Sequence, residues 1–122
     1  MVTEYFWHVA GPAAVGVRFV SMADPRTNAE AAPTVAKFRA DGYEPEGFTL
    51  YSYAAVEVWA QAVEKAGTVE AKAVAEALRT QKFETVLGTV GFDDNGDVYG
   101  YEPFTWYIWQ EGDYAPAADP GD

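Results

Sequence analysis

No cysteine occurs among the 122 residues, which removes disulfide staples, thiolate metal sites and a cysteine nucleophile together. Histidine is nearly absent too: His8 stands alone among Tyr5, Phe6 and Trp7. A catalytic dyad on it would need a serine or carboxylate brought close by the fold, and no nucleophile-elbow sequence is present. Basic residues are scarce, eight against nineteen acidic, so the formal net charge is -11. Such a chain repels phosphate backbones and anionic headgroups, which excludes nucleic acid and membrane surfaces as expected partners. No apolar run approaches the roughly eighteen residues of a membrane span. The start, Met1-Val2-Thr3-Glu4, lacks the basic and apolar regions of a secretory signal.

Apolar residues are plentiful: 49% hydrophobic and 16% aromatic content supplies enough surface for a globular core, and the length suits one. Residues 3–10 permit a turn or two of helix before Gly11-Pro12, and Val15–Met22 has the β-branched content of a strand. Asn28 is the expected cap of a helix running to about Asp41, with Val35 and Phe38 on one face and Gly42 closing it. Tyr43–Gly47 reads as a connector. From Tyr51 to Ala66 runs the strongest helical pattern, with Ser52, Ala55, Val56, Trp59, Ala60 and Val63 expected inward and Gly67 ending it. Thr68 is expected to cap a second helix over 69–80 that turns Val74, Ala77 and Leu78 inward, so the two form a hairpin. The period then falls to two: Val86–Phe92 and Phe104–Trp109 read as strands, with turns at Asp93–Asp97 and Gln110–Asp113. The tail from Ala115 reads as frayed. The order is mixed α/β.

Chemistry is sparse. Asp93-Asp94-Asn95-Gly96-Asp97 resembles the start of a calcium loop, yet position 12 counted from Asp93 is Phe104 rather than glutamate, which leaves a hairpin turn. Gly88, Gly91, Gly96 and Gly100 form no phosphate-binding pattern, and the carboxylate pairs Glu44/Glu46 and Glu102/Glu111 read as solvated surface. No cofactor or metal is expected. Phe48, Tyr51 and Tyr53 stand where a connector enters a helix, a position that suits either core packing or the wall of a small-ligand pocket.

These landmarks together resemble one family. Glu4-Tyr5-Phe6-Trp7-His8-Val9-Ala10-Gly11-Pro12, Asp24-Pro25-Arg26, Phe38–Gly47, Tyr51-Ser52-Tyr53-Ala54-Ala55-Val56, Ala62–Gly67, Phe83–Gly88 and Val90–Asp97 match, in order and spacing, the type I periplasmic solute-binding proteins of the branched-chain amino-acid group. The resemblance implies binding without turnover: ligand is captured between two lobes that close by hinge bending and is then delivered to an ABC permease. It implies a periplasmic parent about three times this length, of which the chain resembles the C-terminal part of the type I fold.

On that resemblance residues 1–47 and 103–115 are second-lobe-like and 48–102 first-lobe-like. The expected ligand-wall residues are Tyr51 and, second, Tyr53, with leucine, isoleucine or valine as ligand and aromatic or other small carboxylates behind them. One position departs: many members carry aspartate directly after the second tyrosine of the Tyr-x-Tyr stretch, where this chain has Ala54. Incomplete sheets and one-sided helices lead to an expected segment-swapped or edge-paired homodimer or higher oligomer. The competing reading is an interaction module that pairs through Trp106-Tyr107-Ile108-Trp109.

Overall fold

The computed structural model describes residues 3–101 and 104–118, which divide into two compact units. The larger unit, Asp24–Tyr101, is organised by three helices and an antiparallel sheet. Helix α2 (Ala32–Ala40) packs against α3 (Thr49–Ala66), and α4 (Ala71–Thr80) returns along α3. Strands β2 (Phe83–Thr85), β3 (Gly88–Phe92) and β4 (Val98–Tyr99) pair antiparallel in the order β2-β3-β4.

Helix α3 is long because a good helix-forming run, rich in alanine, is closed by Gly67. Gly67 adopts the left-handed conformation (φ 66°, ψ 15°) and donates its N–H to Val63 O at 2.9 Å. Its buried stripe is Leu50, Ala54, Val58 and Ala62, spaced by four. This corrects the expected inward face: Ala55, Val56 and Trp59 are exposed. The helix is apolar around most of its circumference, so periodicity alone does not choose the inner stripe; the choice falls to what packs there. Leu50 and Ala54 meet Ala31, Val35 and Val86, while Val58 and Ala62 meet Val74, Ala77, Phe83 and Val90.

That arrangement also moves the expected lobe boundary at residue 47. Ala31 and Val35 are buried with Leu50 and Ala54, so residues 24–47 belong to the same compact unit as 48–101.

Helix α4 turns Val74 and Ala77 inward, with Leu78 packed beside them, as its pattern predicts. Its cap is Glu70 rather than Thr68: Glu70 Oε2 accepts from the N–H groups of Lys72 (3.0 Å) and Ala73 (3.1 Å), while Thr68 Oγ1 accepts from Glu70 N–H one turn earlier. Asn28 likewise does not cap α2, which starts at Ala32 with Pro33 in its first turn. The segment before it is used in a 3₁₀ turn over Pro25–Thr27, capped by Asp24.

Side chains of α3 close the outer edge of the sheet. Gln61 Nε2 donates to Glu84 O at 2.7 Å, Gln61 Oε1 accepts from Glu84 N–H at 3.2 Å, and Glu57 Oε2 accepts from Val86 N–H at 2.9 Å. Edge pairing through β2 therefore has no opening.

The smaller unit contains residues 3–23 and 104–118. Helix α1 (Glu4–Ala10) runs into a 3₁₀ turn over Gly11–Ala14, and β1 (Arg18–Ser21), β5 (Thr105–Trp109) and β6 (Tyr114–Ala117) form an antiparallel sheet in the order β1-β5-β6. Phe19, Tyr107 and Trp109 are buried on one face, with Phe6 at 5.3 Å and Tyr114 at 5.3 Å, centroid to centroid, from Trp109. The tail expected to fray is thus a strand as far as Ala117, held by pairing of Tyr107 with Pro116 and Ile108 with Ala115.

An ion-pair clasp ties the start of the larger unit to the end of α2. Arg39 Nε and Nη2 donate to the two Glu44 oxygens at 2.7 and 2.8 Å, Arg26 Nη1 donates to Glu44 Oε1 at 3.0 Å, and Arg26 also grips Asp24. The hydrogen bonds from Arg39 hold the Glu44 carboxyl at a pKa of about 2, with Arg26 reinforcing them against the opposing effect of burial.

Two expected outcomes follow from this packing. Gly100 has φ +112°, and a Cβ there would strike the carbonyl oxygen of Thr89. Gly100→Ala should therefore lower stability by more than about 1 kcal/mol in urea unfolding; an unchanged midpoint would remove this constraint. Glu44 is held below its ordinary carboxylate value of 4.5, so its contribution is present above that pH and is lost as pH falls through about 2. The melting-temperature gap between wild type and Glu44→Gln should accordingly narrow from about pH 6 to about pH 2, whereas a constant gap would mean the clasp does not act through charge.

Candidate ligand groove

Within the larger unit an open groove of about 330 Å³ runs beside α3. Helix α3 supplies Tyr51, Ala55, Val58 and Trp59 to one side. Leu78 of α4 and Phe92 of β3 meet them from the other, with Tyr101 near the end. Tyr51 and Tyr101 stand with ring centroids 5.8 Å apart, inclined at 59°. No lining residue is charged; the polar side-chain atoms are the Tyr51 and Tyr101 hydroxyls and the Trp59 indole N–H. Such a wall suits an aliphatic or aromatic side chain by desolvation and offers no counter-charge to a carboxylate or ammonium.

Tyr51 and Tyr53 are not brought together. Two residues along a helix turn the direction by about 200°, so Tyr53 leaves the groove and packs edge-on to Phe38 at 6.1 Å. Phe38 in turn meets Tyr43, whose hydroxyl is 3.0 Å from Thr49 Oγ1. Tyr53 retains 37% exposure at this second aromatic group, and Phe48 is 64% exposed outside both. The reading of Phe48, Tyr51 and Tyr53 as one cluster is corrected by the start of α3 at Thr49, which sets the two tyrosines on opposite sides. Trp59 and Tyr101 were not among the expected site residues. Trp59 was assigned to the core stripe, and Tyr101 lies in a segment without periodicity.

Ala54 is 3% exposed within the cluster formed with Val35, Leu50 and Val86. A carboxylate at that position would be buried among apolar side chains, so alanine at 54 is consistent with this packing.

The remaining sequence candidates resolve into structure. His8 lies on the exposed side of α1. Asp93 Oδ1 accepts from the N–H groups of Asn95 and Asp97, both at 2.9 Å, so it organises the β3–β4 turn. Among the described residues no group of three or more His, Asp or Glu side chains is arranged to hold a metal ion. Glu44 belongs to the arginine clasp, and Glu102 lies outside the described residues.

Comparison with known proteins gives consistent relatives. A family model described as periplasmic binding protein matches residues 2–109. A Leu/Ile/Val-binding protein homolog 1 of Brucella suis is 43% identical over 117 residues, spanning 93% of this chain and 32% of that protein. A leucine-, isoleucine-, valine-, threonine- and alanine-binding protein of Pseudomonas aeruginosa is 42% identical over 89 residues, or 72% of this chain and 22% of that one. Among solved structures, a leucine binding protein from Thermotoga maritima superposes with a TM-score of 0.79 at 25% identity, covering 98% of this chain and 35% of that one. A solute binding protein of R. palustris in complex with benzoate gives 0.72 at 21% identity, covering 89% and 31%. The chain thus spans about a third of the length of the Brucella suis relative. It belongs to the periplasmic binding protein family.

Proposed function

We propose that this chain contributes the apolar wall of a solute-binding site in an ABC importer, capturing a branched-chain amino acid between two hinged lobes in the periplasm and presenting it to a permease. The observation that carries this reading is the groove at Tyr51: it is of ligand size and almost wholly apolar, in a chain whose relatives include Leu/Ile/Val-binding protein homologs. Tyr51 is the first wall residue, and Tyr53, on the other side of α3, is the second candidate. The ligand's charged groups need hydrogen-bonding partners that the groove does not contain, and these would come from the two thirds of the relatives' length beyond this chain. Nothing in this role calls for bond making or breaking.

An aromatic carboxylate is a second reading, favoured by the Tyr51, Trp59 and Tyr101 rings on the groove and by the benzoate held in the R. palustris protein. Association with a second copy is a competing use of the exposed apolar surface.

Calorimetric titration with leucine, isoleucine, valine and benzoate separates the ligand readings. The chain alone should bind none of them tighter than about 1 mM, because a half-site leaves the charged groups solvated or unpaired. Joined to the remaining two thirds of the Brucella suis relative, it should bind a branched-chain amino acid in the micromolar range, and Tyr51→Ala should weaken that by about tenfold or more. Micromolar binding by the chain alone, or indifference of the joined protein to Tyr51→Ala, would contradict the proposal.

A further inference from the structure

The outward face of α3 carries its own apolar surface, separate from both the buried stripe and Tyr51. Ser52, Ala55, Val56, Trp59, Ala60 and Val63 follow one another along it without a charged residue. Val56 is 65% exposed and Trp59 56% exposed. Val56 lies about 140° around the helix from Tyr51, and the face extends for about 16 Å from Ser52 to Val63. A helix interior this apolar on two sides is ordinarily covered on both. A contiguous uncharged strip centred on a tryptophan has the composition of an interface core rather than of a solvated surface.

We propose that this face is a docking surface for polypeptide, and that its occupant is an uncharged, apolar surface from the two thirds of the relatives' length that this chain does not span. Three observations favour that occupant over a second copy. The chain matches the Brucella suis relative over 93% of its own length but only 32% of the relative's, and it superposes on the Thermotoga maritima protein at a TM-score of 0.79 while covering 35% of it. The same fold therefore exists in proteins that carry the additional chain. Each copy of this chain has a net charge of -11, so self-pairing incurs a repulsion that a different polypeptide need not. The outer edge of β2 is already closed by Gln61 and Glu57, which takes away one of the backbone edges through which copies could pair. The proposal rests on the family reading above, but it requires no ligand.

The absence of cysteine makes thiol labelling a clean test. Ala55→Cys sits on the face, and Lys72→Cys, on the exposed side of α4, is the control. The partner is the Brucella suis relative lacking the 117 residues matched here, co-expressed with this chain or fused ahead of it in case it does not fold alone. Maleimide reaction at Ala55→Cys should slow by at least about tenfold with that partner, while Lys72→Cys reacts at its original rate. Adding Trp59→Glu should restore the reaction at Ala55→Cys. An Ala55→Cys thiol that stays fully reactive in the fused protein overturns the proposal. So does a chain that alone sediments as a dimer with Ala55→Cys protected, since the occupant is then a second copy. Protection without any amino-acid binding would leave the docking surface standing while removing the proposed ligand function.

Discussion

Everything in the larger unit depends on the stripe Leu50, Ala54, Val58 and Ala62 along α3. Its N-terminal half gathers α2 and Val86, and its C-terminal half gathers α4 and the β2–β3 hairpin. Small residues at 54 and 62 alternate with larger ones at 50 and 58, so neighbouring elements approach closely while Leu50 and Val58 supply the burial, worth about 1.5 to 3 kcal/mol for each such side chain. Gln61 and Glu57, flanking the same stripe, reach the backbone of β2 and Val86 and fix the hairpin's position relative to the helix. Once that stripe faces inward, the direction of every other residue on α3 is set, including Tyr51 toward the groove and Val56 toward solvent.

A helix with so little polar surface has roles beyond holding its own unit together. The inner stripe makes the core, the Tyr51 edge makes an apolar wall, and the Val56–Trp59 face is left uncovered. The absence of charge in the groove is informative for the same reason: an amino acid's side chain can be desolvated there while its charged ends must be satisfied elsewhere. Family membership and coverage of about a third of the Brucella suis relative's length agree with that division of labour.

The sequence made some elements legible and hid others for identifiable reasons. Helix α4 was readable because Glu70, Lys72, Glu76 and Arg79 leave Val74, Ala77 and Leu78 as its only apolar side. Gly67 and the Asn95-Gly96 turn were readable because positive φ selects glycine locally. The inner face of α3 was not, since apolar residues lie on nearly every side and long-range partners decide among them. Glu70 was overlooked as a cap because serine, threonine and the shorter acidic and amide side chains lead that preference. Tyr51 was correctly assigned to a pocket-sized surface region, whereas its association with Tyr53 ignored the rotation of about 200° between them. The family resemblance was carried by motif order along most of the chain and did not depend on any of these local assignments.

The claim that α3 divides its apolar surface between an inner stripe and an uncovered outer face is tested most directly by chemical denaturation of two single variants. Val58→Ala removes methyl groups from the core and should lower the stability of the chain by about 2 kcal/mol. Val56→Ala, on the outer face, should change it by no more than about 0.5 kcal/mol. Equal losses, or a larger loss at Val56, would mean that the helix faces the other way and would contradict the account.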